Sequence, residues 1–363
     1  LGLRLFLVLA LDRTVWGEEP AHLVLAQNFF SGRGYSQYAG IPDILVPPGY
    51  PLLVGLVEKV VRDWMTASSL WFVLSGTAAL LPLFLLGQAL YDARSALIAC
   101  LFFALSPALV AGTLFSGSLT GPPYLFFLLS GLYFTYRMLS RDRMSDSLLA
   151  GLCLSAAYLI QLEGRFYLFV FLAYQVLRFL RGNQTDWRKA GSRLALFALG
   201  FAVLAIPYGV YLHSVTGEWA FSGHSTQTYV AAKALVRNDP LLYDLEMWGL
   251  DPRETEVRYY SSEVMEIPLL TLFFDDPLAF TKDVFANMRR TAQLVSEPEY
   301  FGPGLMVLAA LGLLAVSWDW RRLAGEGFLL LSLLPLSGFW LFYVTRQDLS
   351  PALPILFLWA GRG

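Results

Sequence analysis

The chain has 363 residues, of which 15% are charged and 56% apolar, with 26 basic against 28 acidic side chains and a net charge of −2. Soluble domains carry roughly 25% charged residues, so this composition excludes a disordered chain and leaves too few polar groups to cover a soluble enzyme. The charge balance also argues against a nucleic-acid partner, which needs a basic surface to meet phosphates. The class that remains is an all-α, polytopic transmembrane helical bundle.

Cys100 and Cys153 lie singly in apolar runs, and His22, His213 and His224 are far apart. No metal-ligand cluster reads from these residues. Leu1 to Leu11 is an apolar run of about half the length a bilayer span needs, and Arg4 interrupts it. No small-residue cleavage site follows, so it reads as the outer half of a first span in a piece of a longer protein.

A first loop at 12–65 comes next. Glu18, Glu19 and Pro20 spell a helix start, with acids at the cap and Pro in the first turn. Gly32 and Gly34 end that helix. Beyond Pro47-Pro48-Gly49-Tyr50-Pro51, an amphipathic stretch too charged to span suits a helix lying in the interface.

Charge-free stretches then predict spans at 66–90, two between Arg94 and Arg137, and others at 147–161, 166–180, 194–213, 301–318, 327–345 and 350–361. With the first partial one the count is about ten, since an ionised side chain at mid-bilayer costs a few kcal/mol. The chain thus divides into an N-terminal membrane module at 1–213, a helical loop region at 214–300 and C-terminal transmembrane helices at 301–363. Within the loop region, Asp275, Asp276 and Pro277 open a predicted amphipathic helix.

Lys and Arg in short loops set orientation. Arg94, the group Arg137 to Arg143, the group Arg178 to Arg193, and Arg321 with Arg322 fall on one face, which should be cytoplasmic. The opposite face receives residues 12–65, the turn at Thr120, Glu163 to Arg165, residues 214–300, and Arg346 to Asp348.

Two adjacent carboxylates where a span leaves the membrane are candidates for a general base, or for plain helix capping. Their setting narrows the choice. The run Gly17-Glu18-Glu19-Pro20-Ala21-His22 through Gly32-Arg33-Gly34-Tyr35, followed by Pro47-Pro48-Gly49-Tyr50-Pro51, resembles the first extracytoplasmic loop of the GT-C glycosyltransferases. More narrowly it is similar to family 39: the protein O-mannosyltransferases, aminoarabinose lipid A transferases and galacturonosyltransferase-like proteins. The likeness continues through Gln161-Leu162-Glu163-Gly164, Pro207-Tyr208, Gly223-His224, Arg346 and Pro351-Ala352-Leu353-Pro354.

The resemblance implies a GT-C-type bundle that takes a sugar from a polyprenyl-phosphate donor and passes it to a lipid, glycan or protein acceptor. It implies an integral protein of the bacterial inner membrane, in contact with membrane lipid, with its site facing the periplasm or exterior. Glu18 and Glu19 match the acids of the family motif and take the catalytic role. Arg165, His224 and Arg346 are the cations for the donor phosphate, because a guanidinium fork suits phosphate oxygens. His22, Tyr50 and Glu163 line the acceptor side. No metal ligand is assigned, and the pattern leaves a divalent metal open.

The chain also departs from its relatives. Gly121 stands where many carry an acid, Gln161 begins a stretch that has lost an Arg, and His224 stands where relatives have Lys. These losses keep a second reading in view, a non-catalytic GT-C-like subunit. A transporter, the third, should carry ionisable residues inside its spans, and these spans hold almost none.

Overall fold

The computed structural model is nearly all helix, and it describes residues 1–11, 14–15, 17–38, 41–115, 117, 119–141, 143–180, 187–223, 248–250, 257–259, 273–274, 276–315, 318–341 and 344–363. The first half runs α1 (Gly2–Ala10), α2 (Glu19–Phe30), α3 (Gly49–Val61), α4 (Trp64–Ala78), α5 (Leu80–Leu90) and α6 (Ala93–Leu105). A π-turn at Ala108–Gly112 leads to α7 (Thr113–Phe115), then α8 (Gly121–Arg141) and α9 (Met144–Ile160). A 3-10 turn at Leu162–Phe166 precedes α10 (Tyr167–Leu180) and α11 (Trp187–Thr216). The second half holds α12 (Pro277–Ser296), α13 (Gly302–Leu314), α14 (Trp320–Leu333), a 3-10 stretch at Leu334–Leu341, and α15 (Ala352–Arg362). A two-stranded antiparallel ribbon, β1 (Trp248–Leu250) with β2 (Val257–Tyr259), pairs Gly249 opposite Arg258.

Local chemistry sets the helix starts. Asp63 accepts from the Thr66 N–H at 2.7 Å, Asp92 from Ser95 at 2.8 Å, and Asp276 from Ala279 at 2.9 Å. Each satisfies one of the orphan donors of a first turn. The predicted start at Asp276 and Pro277 is thus the start observed. Gly32 and Gly34, with φ of +77° and +87°, turn the chain out of α2 as expected of glycine.

The span count needs correction. Among the described residues three helices are long and apolar enough to cross a bilayer: Trp64–Leu90, Trp187–Thr216 and Arg322–Leu341. A fourth is the pair Ala93–Leu105 and Ala108–Phe115, bent by 48°. Pro107 causes the bend: it has no N–H to give, and it forces Ser106 into extended backbone. Met144–Ile160, Gly302–Leu314 and Ala352–Arg362 are apolar but shorter than a full span. Charge-free runs locate apolar helices well, but turns built of uncharged residues cut them without leaving a charge to read. The chain is an all-α integral membrane protein.

The core of the bundle is α9, packed between α8 and α11. Gly151 and Gly200 let α9 and α11 touch backbone to backbone, since a Cβ on Gly151 would strike the Phe197 carbonyl and one on Gly200 the Leu148 carbonyl. At one end of the bundle, loops distant in sequence are tied together. Tyr211 Oη donates to the Asp43 carbonyl at 2.7 Å, Tyr158 Oη to the Phe221 carbonyl at 2.5 Å, and Gln161 Nε2 to Thr120 Oγ1 at 3.0 Å. The opposite end is clasped by Arg137 with Asp146 at 2.9 Å and by a cluster on Glu326.

Candidate functional site

Glu18 and Glu19 open α2, and adjacent positions on a helix point about 100° apart. They therefore meet different surroundings. Glu19 turns inward and is fully buried. Ser68 Oγ on α4 donates to its Oε1 at 2.6 Å, which leaves Tyr50 Oη, 3.0 Å from that hydroxyl, as donor to Ser68. Tyr50 in turn meets the buried His22 ring edge to face, with centroids 5.2 Å apart. Burial pushes the His22 imidazole down to about 4, so it is neutral at physiological pH. Glu19, Tyr50 and His22 thus form a packed wall behind the loop, joining α2, α3 and α4.

Glu18 points the other way. Its side chain is open to solvent, yet burial within surrounding protein raises its pKa. A carboxylate both accessible and enclosed lines a recess rather than an outer surface. Glu163 has the same character. It sits on the 3-10 turn after α9, half-exposed, with its pKa raised chiefly by burial, lowered by Arg165 and raised again by Glu18. Arg165 is desolvated too, so its pKa is lowered, with Glu163 pulling it back. Its guanidinium lies over the Phe166 ring, 5.0 Å from the centroid. Among the described residues no ion pair closes between Glu163 and Arg165; both charges face the recess.

Near these groups lies a third acid, one that the sequence places on the outer face without a role. Asp348, on the turn before α15, is lifted to about 7, first by burial and further by Glu163 and Glu18. The hydrogen bonds from the Thr345 N–H (2.7 Å) and Oγ1 (2.8 Å) to its Oδ2 work against that rise. Three buried phenols stand near these acids. Among the described residues the hydroxyls of Tyr124, Tyr167 and Tyr300 have no hydrogen-bond partner. The first two interact electrostatically with Glu163 and the third with Asp348. Buried hydroxyls left unpaired are uncommon and mark places where a ligand or water completes the set.

Beside this recess lies a cavity of ≈ 340 Å³ lined by Arg4, Phe103, Leu109, Gly121, Tyr300 and Arg346, among others. Its walls are mostly apolar and its charges mostly positive. Arg4 is the second residue that sequence reasoning did not place. Its guanidinium is buried, stacks over Phe72 at 4.9 Å, and has an Nη1 with no hydrogen-bond partner. Gly76 makes room for it, because a Cβ there would come within 2.5 Å of the guanidinium. The available signal was its isolation in an apolar run, where an intramembrane charge marks a functional site by default. Gly121 puts no side chain into this cavity.

Of the cations expected for a phosphate, Arg165 faces the recess and Arg346 lines the cavity. Arg346 is already engaged, 2.6 Å from Glu297 and 3.5 Å from Glu299, on an exposed rim. His224 lies outside the described residues. Among the described residues no three His, Cys, Asp or Glu side chains are grouped to hold a metal ion.

Residues 46–211 match the model of the family described as dolichyl-phosphate-mannose-protein mannosyltransferase, somewhat under half of the chain. The fold is similar to ArnT from Cupriavidus metallidurans bound to undecaprenyl phosphate. That match has a TM-score of 0.55 and 14% identity over 99% of this chain and 58% of the other. It is also similar to the Archaeoglobus fulgidus oligosaccharyltransferase in its apo form, with a TM-score of 0.60 and 16% identity over 95% of this chain and 46% of the other. Part of the chain thus resembles that mannosyltransferase family, and its fold is the one these two structures share. A third structure, the archaeal oligosaccharyltransferase AglB from A. fulgidus in complex with an inhibitory peptide and a dolichol-phosphate, aligns at a TM-score of 0.56 and 16% identity over 95% of this chain and 46% of the other. The chain spans 46–58% of the length of these three proteins. No curated protein matches it.

Proposed function

We propose that this chain is a GT-C glycosyltransferase, one that transfers a sugar from a polyprenyl-phosphate donor to a hydroxyl-bearing acceptor, a lipid, glycan or protein, with Glu18 as the base. The observation that supports the reading is the electrostatic interaction of Glu163 with both Glu18 and Arg165, together with an apolar cavity lined by Arg4 and Arg346. A cavity of this kind suits a polyprenyl phosphate, with tail against hydrocarbon walls and head near Arg4 and Arg346. The ligands bound in the ArnT and AglB structures support that choice. The acceptor oxygen attacks the anomeric carbon as the carbon–oxygen bond to phosphate breaks. Glu18 takes the acceptor proton, and the cations offset the charge gathering on the phosphate. Burial raises the Glu18 pKa above the ordinary carboxylate value, which strengthens it as a base.

The loops gathered at this end are those the Lys and Arg pattern assigns to the outer side. The site accordingly faces the periplasm of a bacterial inner membrane, or the exterior. The test is release of polyprenyl phosphate from lipid-linked sugars by the protein in detergent or nanodiscs. A folded Glu18→Gln variant is expected to lose about 10²- to 10⁴-fold in rate; full activity in that variant overturns the assignment. Gly121, where relatives have an acid, favours the second reading of a non-catalytic subunit. In that case the wild type itself releases nothing.

A further inference from the structure

Asp348 sits on the turn before α15, close to both the loop acids and the cavity-lining residues. On one side its charge interacts with Glu163 and Glu18. On the other, its neighbours Arg346, Gln347 and Ser350 line the arginine-bearing cavity, as does Tyr300, whose unpaired phenol interacts with Asp348. Both Thr345 hydrogen bonds go to Oδ2, and Oδ1 accepts none among the described residues. The carboxyl is held by one oxygen and offers the other. An acid cluster alone would say little. Here a phenol that is only 3% exposed, has no hydrogen-bond partner among the described residues and belongs to a cavity-lining residue adds a second unspent donor.

We propose that Asp348 is a proton-transfer residue that serves the phosphate side of the reaction, as Glu18 serves the acceptor side. This rests on the donor reading given above. As the anomeric carbon–oxygen bond to phosphate breaks, its electron pair passes to the phosphate oxygen. Protonated Asp348 gives that oxygen its proton, with the Tyr300 hydroxyl donating a hydrogen bond beside it. The acceptor oxygen forms the new bond to the anomeric carbon and its proton goes to Glu18. One proton is taken up and one given, so the pair is restored when a proton passes from Glu18 to Asp348 through the recess. The match is thermodynamically easy. Burial and the neighbouring acids lift Asp348 to about 7, and the dianion of a phosphate monoester takes up a proton at about 6, so the transfer is close to balanced. The charged groups facing Asp348 are Glu18 before α2, Glu163 on the 3-10 turn, Tyr300 before α13 and Arg346 on its own segment, which Glu297 and Glu299 hold.

The test is the binding of undecaprenyl phosphate to the full chain in nanodiscs between about pH 6 and about pH 8. A carboxyl that must be protonated to sit against the phosphate weakens binding about tenfold across that range. Asp348→Asn is neutral throughout, and its Oδ1 still accepts the Thr345 hydrogen bonds, so the tenfold component disappears. The phosphate's own ionisation is common to both proteins and cancels. Asp348→Glu restores the pH dependence. A measurement on the wild type alone guards against a misfolded variant: at about pH 8, binding takes up close to one proton. Parallel wild-type and Asn profiles, or no proton uptake, overturn the proposal while leaving the donor reading standing. No binding by the wild type at any pH overturns both.

Discussion

The two ends of the bundle treat buried carboxylates in opposite ways. At one end Glu326, only 1% exposed, is fully engaged. Tyr91 Oη and Trp359 Nε1 donate to its Oε2 at 2.9 and 2.8 Å, while Arg362 and Arg322 approach its Oε1 at 3.2 and 3.5 Å. It ties α14 to α15 and to the residue that ends α5, and both of its oxygens are satisfied. At the other end Glu18 and Glu163 are enclosed without being paired, Asp348 keeps one oxygen unused, and three phenols have unpaired hydroxyls. A satisfied buried carboxylate holds helices together. An unsatisfied one lowers stability and persists where a ligand meets it. The contrast separates clasp from site without appeal to any relative.

The comparison can be broken most decisively at the clasp. Glu326→Ala leaves Arg322 and Arg362 facing each other without their counter-charge, and should cost about 3–5 kcal/mol of stability, read as a fall in melting temperature in detergent. A melt unchanged from wild type would show that the clasp holds nothing. Next is Arg4→Met, which removes a buried guanidinium that no carboxylate pairs among the described residues. It should raise the melting temperature and weaken undecaprenyl phosphate binding by about ten- to a hundredfold, the worth of a charge-assisted contact of 1.5–3 kcal/mol. Unchanged affinity would remove Arg4 from the phosphate site.

A pH effect of similar size sits in the wall behind the loop. His22 is held near 4 in the fold against an ordinary value of 6.5. The unfolded chain therefore binds the extra proton first as pH drops, and stability falls between about 6.5 and 4, by about 3 kcal/mol in total. His22→Phe should flatten that slope; an identical slope would mean that other groups set it. The smallest effect is at the cavity rim. Arg346 is 55% exposed where it meets Glu297 and Glu299, and exposed pairs contribute about 0–1 kcal/mol. Glu297→Gln should barely move the melt, and a loss of several degrees would make this rim a second clasp.

Much of the architecture was legible in the sequence because local rules govern it. Asp276 before Pro277 announced α12, Glu19 and Pro20 announced α2, and charge-free runs located the apolar helices. What stayed illegible depends on packing between distant residues. Nothing local says that Glu19 faces Ser68 while Glu18 faces the recess, since both satisfy the same helix-start pattern. Arg4 reads as an interruption until Phe72 and Gly76 form a slot for it. Asp348 reads as the neighbour of Arg346, but in the fold Arg346 is taken by two glutamates and Asp348 turns toward Glu163. Glu326 lay at the edge of a predicted span, with no hint of the Trp359 and Arg362 that satisfy it. The bend at Pro107 was hidden because uncharged residues surround it.

The central claim is that Glu18 serves chemistry and Glu326 serves the fold. The direct measurement pairs Glu18→Gln with Glu326→Gln in one preparation, recording melting temperature and polyprenyl phosphate release for each. The account predicts that Glu18→Gln keeps or raises the wild-type melt and loses transfer. Glu326→Gln should melt several degrees lower and retain transfer while folded. A Glu18→Gln protein that melts low and still transfers at the wild-type rate would contradict it.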